Sequence, residues 1–142
     1  MRLCTTSETI SFARGLEEDS AKFYEKMSRK YPEGKAVLPF TEENRKYVIQ
    51  IQRAYQSVIT DAIEGCFAFQ LESEDYTLDT DLPAQASFAD AVKKALAMEE
   101  KMIGFYTTAA DQSMALMADI PRNFKIVVKK RNARVEKLKS LL

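Results

Sequence analysis

Residues typical of a buried helix face recur every three or four positions along nearly the whole chain, and this spacing restricts the fold more than any other feature. The first stripe consists of Ile10, Ala13, Glu17, Ser20, Tyr24, Met27 and Tyr31. Because these positions share one helix face, we predict a helix from about Ser7 to Tyr31. Thr5 with Glu8 forms a capping box at its start, and Pro32-Glu33-Gly34 ends it.

A second stripe predicts a helix that begins near Lys35, with Pro39 in its first turns, where a missing N–H is tolerated. The residues on its buried face are Val37, Phe40, Asn44, Tyr47, Ile51, Ala54 and Val58. The helical pattern can extend past Gly65 toward Leu71. Residues 72–81 then carry five acidic side chains and no basic one, and Pro83 follows, so we expect a non-helical connection there.

Two further helices follow this connection. One is predicted from about Ser87 to Met117, with Ser87 as the N-cap before Asp90. The other begins near Pro121, a residue suited to a first helical turn, and continues to the end of the chain. Its apolar set is Phe124, Val127, Val128, Val135, Leu138 and Leu141.

We therefore expect an all-α fold: a four-helix bundle in which two helix pairs are joined by a long crossover. A single domain would span residues 1–142, with a helix pair at about 7–71, the crossover at about 72–86 and a second pair at about 87–142. Glycine and proline number four each, and no long stretch alternates β-branched with polar residues, which argues against an all-β fold.

The chain contains no histidine, which excludes Ser-His-Asp and Cys-His catalysis and every histidine-ligated metal or haem site. Its two cysteines, Cys4 and Cys66, lie far apart and form no C-x-x-C motif. Lys and Arg together number 21, as do Asp and Glu, so the net charge is zero. We accordingly expect no nucleic-acid or membrane partner, and we expect neither a signal peptide nor a membrane-spanning run. The expected location is the cytoplasm, with both cysteines reduced.

An internal repeat relates the two halves of the chain. Leu16-Glu17-Glu18 with Phe23-Tyr24 recurs 82 residues later as Met98-Glu99-Glu100 with Phe105-Tyr106. The second and fourth helices also align, at an offset of 87 residues that places Asn44 and Tyr47 opposite Arg131 and Arg134. The sequence thus predicts a duplicated helix pair.

The repeated pattern of an apolar residue, a glutamate and, seven positions after it, a tyrosine resembles the ferritin-like superfamily, and the short rubrerythrin-like proteins in particular. In that family, helices 1 and 3 each give one Glu and helices 2 and 4 each give a Glu-x-x-His pair to two metal ions. The resemblance implies that Glu17 and Glu99 take the first two positions, with Tyr24 and Tyr106 behind them. The remaining ligand positions hold Asn44, Tyr47, Arg131 and Arg134.

Anchoring helix 2 on the Glu42-Glu43 doublet would instead place Glu43 and Lys46 in the ligand positions. We prefer the apolar stripe because it also matches helix 4. In either register the helix 4 pair is cationic, and arginine cannot ligate a metal because it stays protonated. A di-iron site of the family type is therefore not expected.

The charges suggest what replaces it. Four carboxylates balance two divalent metals in the family, whereas here Glu17 and Glu99 balance Arg131 and Arg134. We hypothesise that the arginines occupy the former metal space and pair with the glutamates, while Tyr24, Asn44, Tyr47 and Tyr106 complete the hydrogen bonds. The alternative is that Glu17, Glu99 and the arginines are surface residues, since residues 121–142 hold eight basic side chains against one acidic one.

Three functions follow from these expectations. The first is a structural or interaction protein on a degenerate rubrerythrin-like bundle, with no catalytic residue and no cofactor. The second is a rubrerythrin-like oxidoreductase, or an iron- or manganese-binding protein, with a carboxylate-only site on Glu17, Glu99 and Glu43. The third is a bundle that holds an anion between Arg131 and Arg134. Self-association, as a homodimer for example, is expected through the exposed sides of helices 1 and 2.

Overall fold

The computed structural model describes residues 1–58, 68–114 and 119–142, and these residues form four α-helices that pack together. They are α1 (Thr6–Lys30), α2 (Leu38–Val58), α3 (Phe88–Gln112) and α4 (Asp119–Lys139). The all-α prediction is confirmed. Helix α1 packs chiefly on α2, and α3 on α4; the two pairs meet mainly through α2 and α4. No helix of the described ranges is both long and apolar enough to cross a membrane.

The predicted capping boxes start α1 and α3. Thr5 Oγ1 accepts from the Glu8 backbone N–H at 3.1 Å, while Glu8 Oε1 accepts from the Thr5 N–H at 3.0 Å. Ser87 and Asp90 make the same reciprocal pair at 3.1 and 3.0 Å. Each box satisfies backbone donors that a helix start otherwise leaves free.

The turn between α1 and α2 depends on Gly34. Residues Pro32–Val37 form a 3₁₀ helix, so α2 begins at Leu38 rather than at the predicted Lys35. A Cβ on Gly34 would lie 2.3 Å from the Met27 carbonyl oxygen, far inside van der Waals contact. An added Cβ would therefore push the turn away from the end of α1.

The expected extension of the second helix to Leu71 is wrong at its far end. Residues 68–70 have no regular structure, and Leu71–Glu72 forms a short strand, β2. It pairs antiparallel with β1 (Arg2–Leu3), so that Leu3 faces Leu71 and both side chains are buried. Two-residue strands leave no alternating pattern for the sequence to reveal. The positions of Gly65 and Cys66 fall outside the described residues.

The acidic connection runs along α3 and, apart from one 3₁₀ turn, is non-helical as expected. After a 3₁₀ turn at Ser73–Tyr76, Lys101 Nζ donates to the Thr77 carbonyl at 3.0 Å, and Lys94 Nζ lies 3.2 Å from Asp79. Lysines of α3 thus offset part of the connection's negative charge.

Helices α3 and α4 differ from their predicted bounds at the junction between them. Helix α3 ends at Gln112 instead of Met117, with residues 115–118 outside the described ranges, and α4 starts two residues before Pro121. The buried face of α4 contains Ile120, Pro121, Phe124, Val127, Arg131, Arg134 and Leu138. Two arginines therefore lie in the middle of an otherwise apolar stripe.

Candidate functional site

The four helices bring their repeated polar residues to one point in the core. All five are almost completely buried, with exposed fractions between 0% and 2%: Glu17 on α1, Asn44 on α2, Glu99 on α3, and Arg131 and Arg134 on α4. The alternative that these glutamates and arginines are surface residues is therefore wrong.

Arg131 joins the two glutamates. Its Nη1 lies 2.8 and 2.6 Å from the two carboxylate oxygens of Glu99, and its Nη2 lies 2.5 Å from Oε2 of Glu17. All three side chains have 0% exposure. A planar guanidinium offers donors in a fixed fork, so one buried cation bridges carboxylates from the two helix pairs.

Each of the two predicted tyrosines donates a hydrogen bond to the glutamate of the other helix pair. Tyr24 on α1 donates its hydroxyl proton to Oε1 of Glu99 on α3 at 2.7 Å. Tyr106 on α3 donates to Oε1 of Glu17 on α1 at 2.6 Å. The sequence repeat therefore reappears as two equivalent hydrogen bonds that connect the first helix pair to the second.

Asn44 links the remaining arginine to this network. Its Nδ2 donates to Glu17 Oε2 at 2.8 Å, and its Oδ1 accepts from Arg134 Nη1 at 2.8 Å. Arg134 Nη1 also lies 3.4 Å from Glu99. Arg134 Nη2 reaches Glu43 at 3.1 Å and the Phe40 carbonyl at 3.4 Å. Within the described residues, the buried Nε of each arginine has no hydrogen-bond partner.

The α2 register follows the apolar stripe. Asn44 and Tyr47 point inward with 1% and 2% exposure, whereas Lys46 is exposed and the Glu43 side chain remains 42% exposed. Lys46 therefore does not take a place in the core, and Glu43 contacts the network only at its edge, through Arg134.

Tyr47 does not donate the hydrogen bond to the glutamates that was predicted for it. Its hydroxyl lies 3.5 Å from Glu43 and does not bond to Glu17 or Glu99. Its ring packs beside the guanidinium groups of Arg131 and Arg134, and the ring centroid lies 5.5 Å from the guanidinium carbon of each. The aromatic face replaces a hydrogen bond with a cation–π contact.

Two contacts of the network were not anticipated from the sequence. Glu43 pairs with Arg134, and the ring of Phe40 lies 4.5 Å from the Arg134 guanidinium carbon. Phe40 was available as a signal because it occupies the same α2 stripe as Asn44, one turn earlier. Glu43 lies beside that stripe, where the spacing alone marks it as an outward residue.

The network fixes which groups carry charge. Burial disfavours the charge on Arg131, but Glu17 and Glu99 outweigh this effect and hold its pKa well above the usual arginine value. Burial likewise works to raise the pKa of Glu99, yet its cationic neighbours, Arg131 foremost, lower it overall. Burial, and secondly the adjacent carboxylate, raises the pKa of Tyr24 and of Tyr106 well above 10.0. The phenols therefore stay protonated and can donate.

These residues do not fit a divalent cation. Every oxygen of Glu17 and Glu99 already accepts a hydrogen bond, and the space between the two carboxylates contains the Arg131 guanidinium. A cation placed there would meet a like charge. Within the described ranges, no group of three or more Asp, Glu, Cys or His side chains is arranged to hold a metal ion.

No protein-family model, curated protein or solved structure matches this chain.

Proposed function

We propose that this chain is a ferritin-like bundle of the short rubrerythrin-like type whose di-metal centre has been replaced by an ion-pair network, and that it serves as a structural or interaction protein. The observation that carries the proposal is the position of Arg131. Its guanidinium bridges Glu17 and Glu99, the two carboxylates that the family resemblance assigns to metal binding. Charge balance inside the bundle is then reached without a metal ion.

Two further features support the ferritin-like assignment. The chain runs as helix pair, long connection, helix pair, and the Glu and Tyr of each repeat exchange hydrogen bonds with the other repeat. This reciprocity is what a duplicated helix pair with inward-facing carboxylates would produce. An arginine pair on α4 in place of ligands is what removes the redox chemistry.

The test is metal uptake. Purified protein is offered one equivalent of Fe²⁺ or Mn²⁺ under anaerobic conditions, desalted and measured by elemental analysis, alongside Arg131→Gln, which frees the carboxylates. We expect the wild type to retain far less than one equivalent. Retention of close to one equivalent by the wild type would contradict the proposal. It would favour the carboxylate-only oxidoreductase or iron- and manganese-binding alternative on Glu17, Glu99 and Glu43.

For the interaction role, we propose self-association through the outer face of α2. Leu38 and Ile49 are 50% and 48% exposed, and Glu42 and Arg45 lie between them at helical spacing. Their order along the helix is self-complementary. A twofold axis at the centre of this face would set Leu38 against Ile49, and Glu42 against Arg45, of a second copy, as an isologous dimer requires.

Sedimentation velocity over a range of concentrations tests this arrangement. We expect a dimer that Leu38→Glu and Ile49→Glu each convert to monomer. The control is Leu142→Glu, which makes the same change at a residue 59% exposed, three positions after the end of α4. A wild type that is monomeric throughout, or a dimer that the α2 variants leave intact, would contradict a self-association role for this face.

A further inference from the structure

A cleft of about 410 Å³ opens between α2 and α4, immediately outside the buried network. Its volume falls within the range of small-molecule sites. The side chains that line it and bear on its chemistry are Phe40, Lys46, Tyr47, Lys130, Arg134 and Lys137. Glu43 also lines it and, among the described residues, is the only acidic one that does so.

The charge of the cleft is strongly positive. Arg134 pairs with Glu43 at 3.1 Å, and the described residues of the lining offer the three lysines no other carboxylate. All three lysines are exposed. In a chain whose net charge is zero, this concentration of cations is a local property of the cleft, and it would attract an anion that carries more than one charge.

The inner surface of the cleft is aromatic. Phe40 and Tyr47 line it, each only 2% exposed, and lysine ammonium groups lie over their rings: Lys137 Nζ is 5.4 Å from the Phe40 centroid and Lys130 Nζ is 5.7 Å from that of Tyr47. The cations therefore lie over an apolar floor and cover it. A ligand with a flat apolar body and a charged group would match both parts once the flexible lysine side chains turn aside to contact the charged group.

Arg134 lines the cleft and also contacts the core network through Asn44. The residue is 2% exposed, its Nη2 makes only long contacts to Glu43 and the Phe40 carbonyl (3.1 and 3.4 Å), and its Nε has no partner among the described residues. Arg131, in contrast, is not among the described residues that line the cleft. The expected anion site between the two arginines is thus reduced to Arg134 and displaced outward.

We propose that this cleft binds a small phosphate monoester on an apolar ring, with the phosphate among Lys46, Lys130 and Lys137 and the ring over Phe40 and Tyr47. A phosphate monoester carries close to two negative charges near neutral pH, which suits three lysines better than a carboxylate does. The Glu43 carboxylate competes with the ligand for Arg134. The site is separate from Glu17 and Glu99, so it does not depend on whether the core takes up metal.

Phenyl phosphate is the probe, with inorganic phosphate and benzoate as its two halves. Each is titrated at pH about 7.5 and constant ionic strength, and binding is followed by ¹H–¹⁵N NMR and isothermal titration calorimetry. We expect saturable phenyl phosphate binding, with shifted amides confined to the α2 and α4 segments around Tyr47 and Arg134. Inorganic phosphate and benzoate should each bind more weakly.

Adjacent lysines on α4 provide a matched control. Lys130→Glu and Lys137→Glu should each weaken phenyl phosphate binding by about three- to tenfold, as expected for reversing a partly screened charge. Lys129→Glu makes the same net-charge change outside the cleft and should alter the affinity by less than about twofold. Glu43→Gln removes the competing carboxylate and should tighten binding.

Three results would overturn the proposal. One is the absence of saturable binding by phenyl phosphate. Another is an equal loss of affinity in Lys129→Glu and Lys130→Glu, which would mean that only the general field of α4 attracts the anion. The third is equal affinity for phenyl phosphate and inorganic phosphate, which would remove any role for the aromatic floor.

Discussion

The hydroxyl of Tyr24 donates to the carboxylate of Glu99 at 2.7 Å, although the two residues belong to different helix pairs and lie 75 positions apart. Tyr106 and Glu17 make the reciprocal bond at 2.6 Å. Helices α1 and α3 make few backbone contacts with each other, so side chains connect them: these two hydrogen bonds and the ring contact between Phe12 and Phe105. The stability of the whole bundle should therefore respond to changes in a few polar atoms.

Replacing Arg131 with methionine should destabilise the protein by about 3–5 kcal/mol, because it leaves buried Glu17 without a cation and Glu99 with only the 3.4 Å contact to Arg134. The free energy of unfolding from urea titration measures the effect. Lys129→Met, on the exposed side of the same helix, is the control and should change that free energy by less than about 0.5 kcal/mol. If Arg131→Met unfolds at the wild-type urea concentration, the network does not hold the core together.

Neutralising the partners should rescue that variant. In the triple variant Glu17→Gln, Glu99→Gln, Arg131→Met, the amide oxygens can still accept from both tyrosines, and no buried charge is left unpaired. We expect the free energy of unfolding of the triple variant to exceed that of Arg131→Met alone by at least about 2 kcal/mol. If the triple variant instead loses as much stability as Glu17→Gln, Glu99→Gln and Arg131→Met lose in sum when made separately, the three side chains act independently.

Alkaline pH should weaken the fold through the two buried tyrosines. Their folded-state pKa values lie well above the ordinary 10.0, so their contribution is complete below pH 10.0. As the pH rises past that value, the unfolded chain releases protons that the folded protein retains, and stability falls. Urea midpoints from about pH 8 to about pH 11 should decline more steeply for the wild type than for Tyr24→Phe or Tyr106→Phe. Parallel curves would show that neither phenol contributes to the pH dependence.

Gly34 and Gly15 should respond oppositely to alanine. At Gly34 the added Cβ would collide with the Met27 carbonyl, whereas at Gly15, inside α1, nothing lies within 4 Å of it. We expect Gly34→Ala to lose about 1–3 kcal/mol through overpacking and Gly15→Ala to gain about 0.5–1 kcal/mol through helix propensity. Thermal unfolding of the two variants checks both signs, and a neutral Gly34→Ala would contradict the close approach.

Helical spacing predicted the inward positions of Asn44, Arg131 and Arg134 because a buried face repeats about every 3.6 residues whatever the polarity of its side chains. The same spacing could not give the partner of each side chain. Glu43 lies beside the stripe, and whether its flexible side chain turns toward Arg134 depends on the distance between α2 and α4. Only the packed structure sets that distance.

The sequence pattern predicted the ends of the helices less well and did not predict the strands. Helix α2 starts late because the close packing at Gly34 favours a tighter turn first, and hydrophobic spacing does not distinguish a 3₁₀ turn from the first turn of an α-helix. The strand pair forms between residues about 70 positions apart. Its two-residue length carries no local signal, so it arises from where the helices place the flanking segments.

A core made only of aliphatic side chains tolerates sliding and rotation of its helices, because one methyl group packs much like another. The network around Arg131 does not. Shifting α4 by one residue would turn its guanidinium by about 100°, away from Glu17 and Glu99 at once, and would leave three ionised groups buried and unmatched. The fold thus carries an internal penalty for near-native misalignment. We expect its alternative packings to be separated from the native state by a wide energy gap, whatever the bundle binds at its surface.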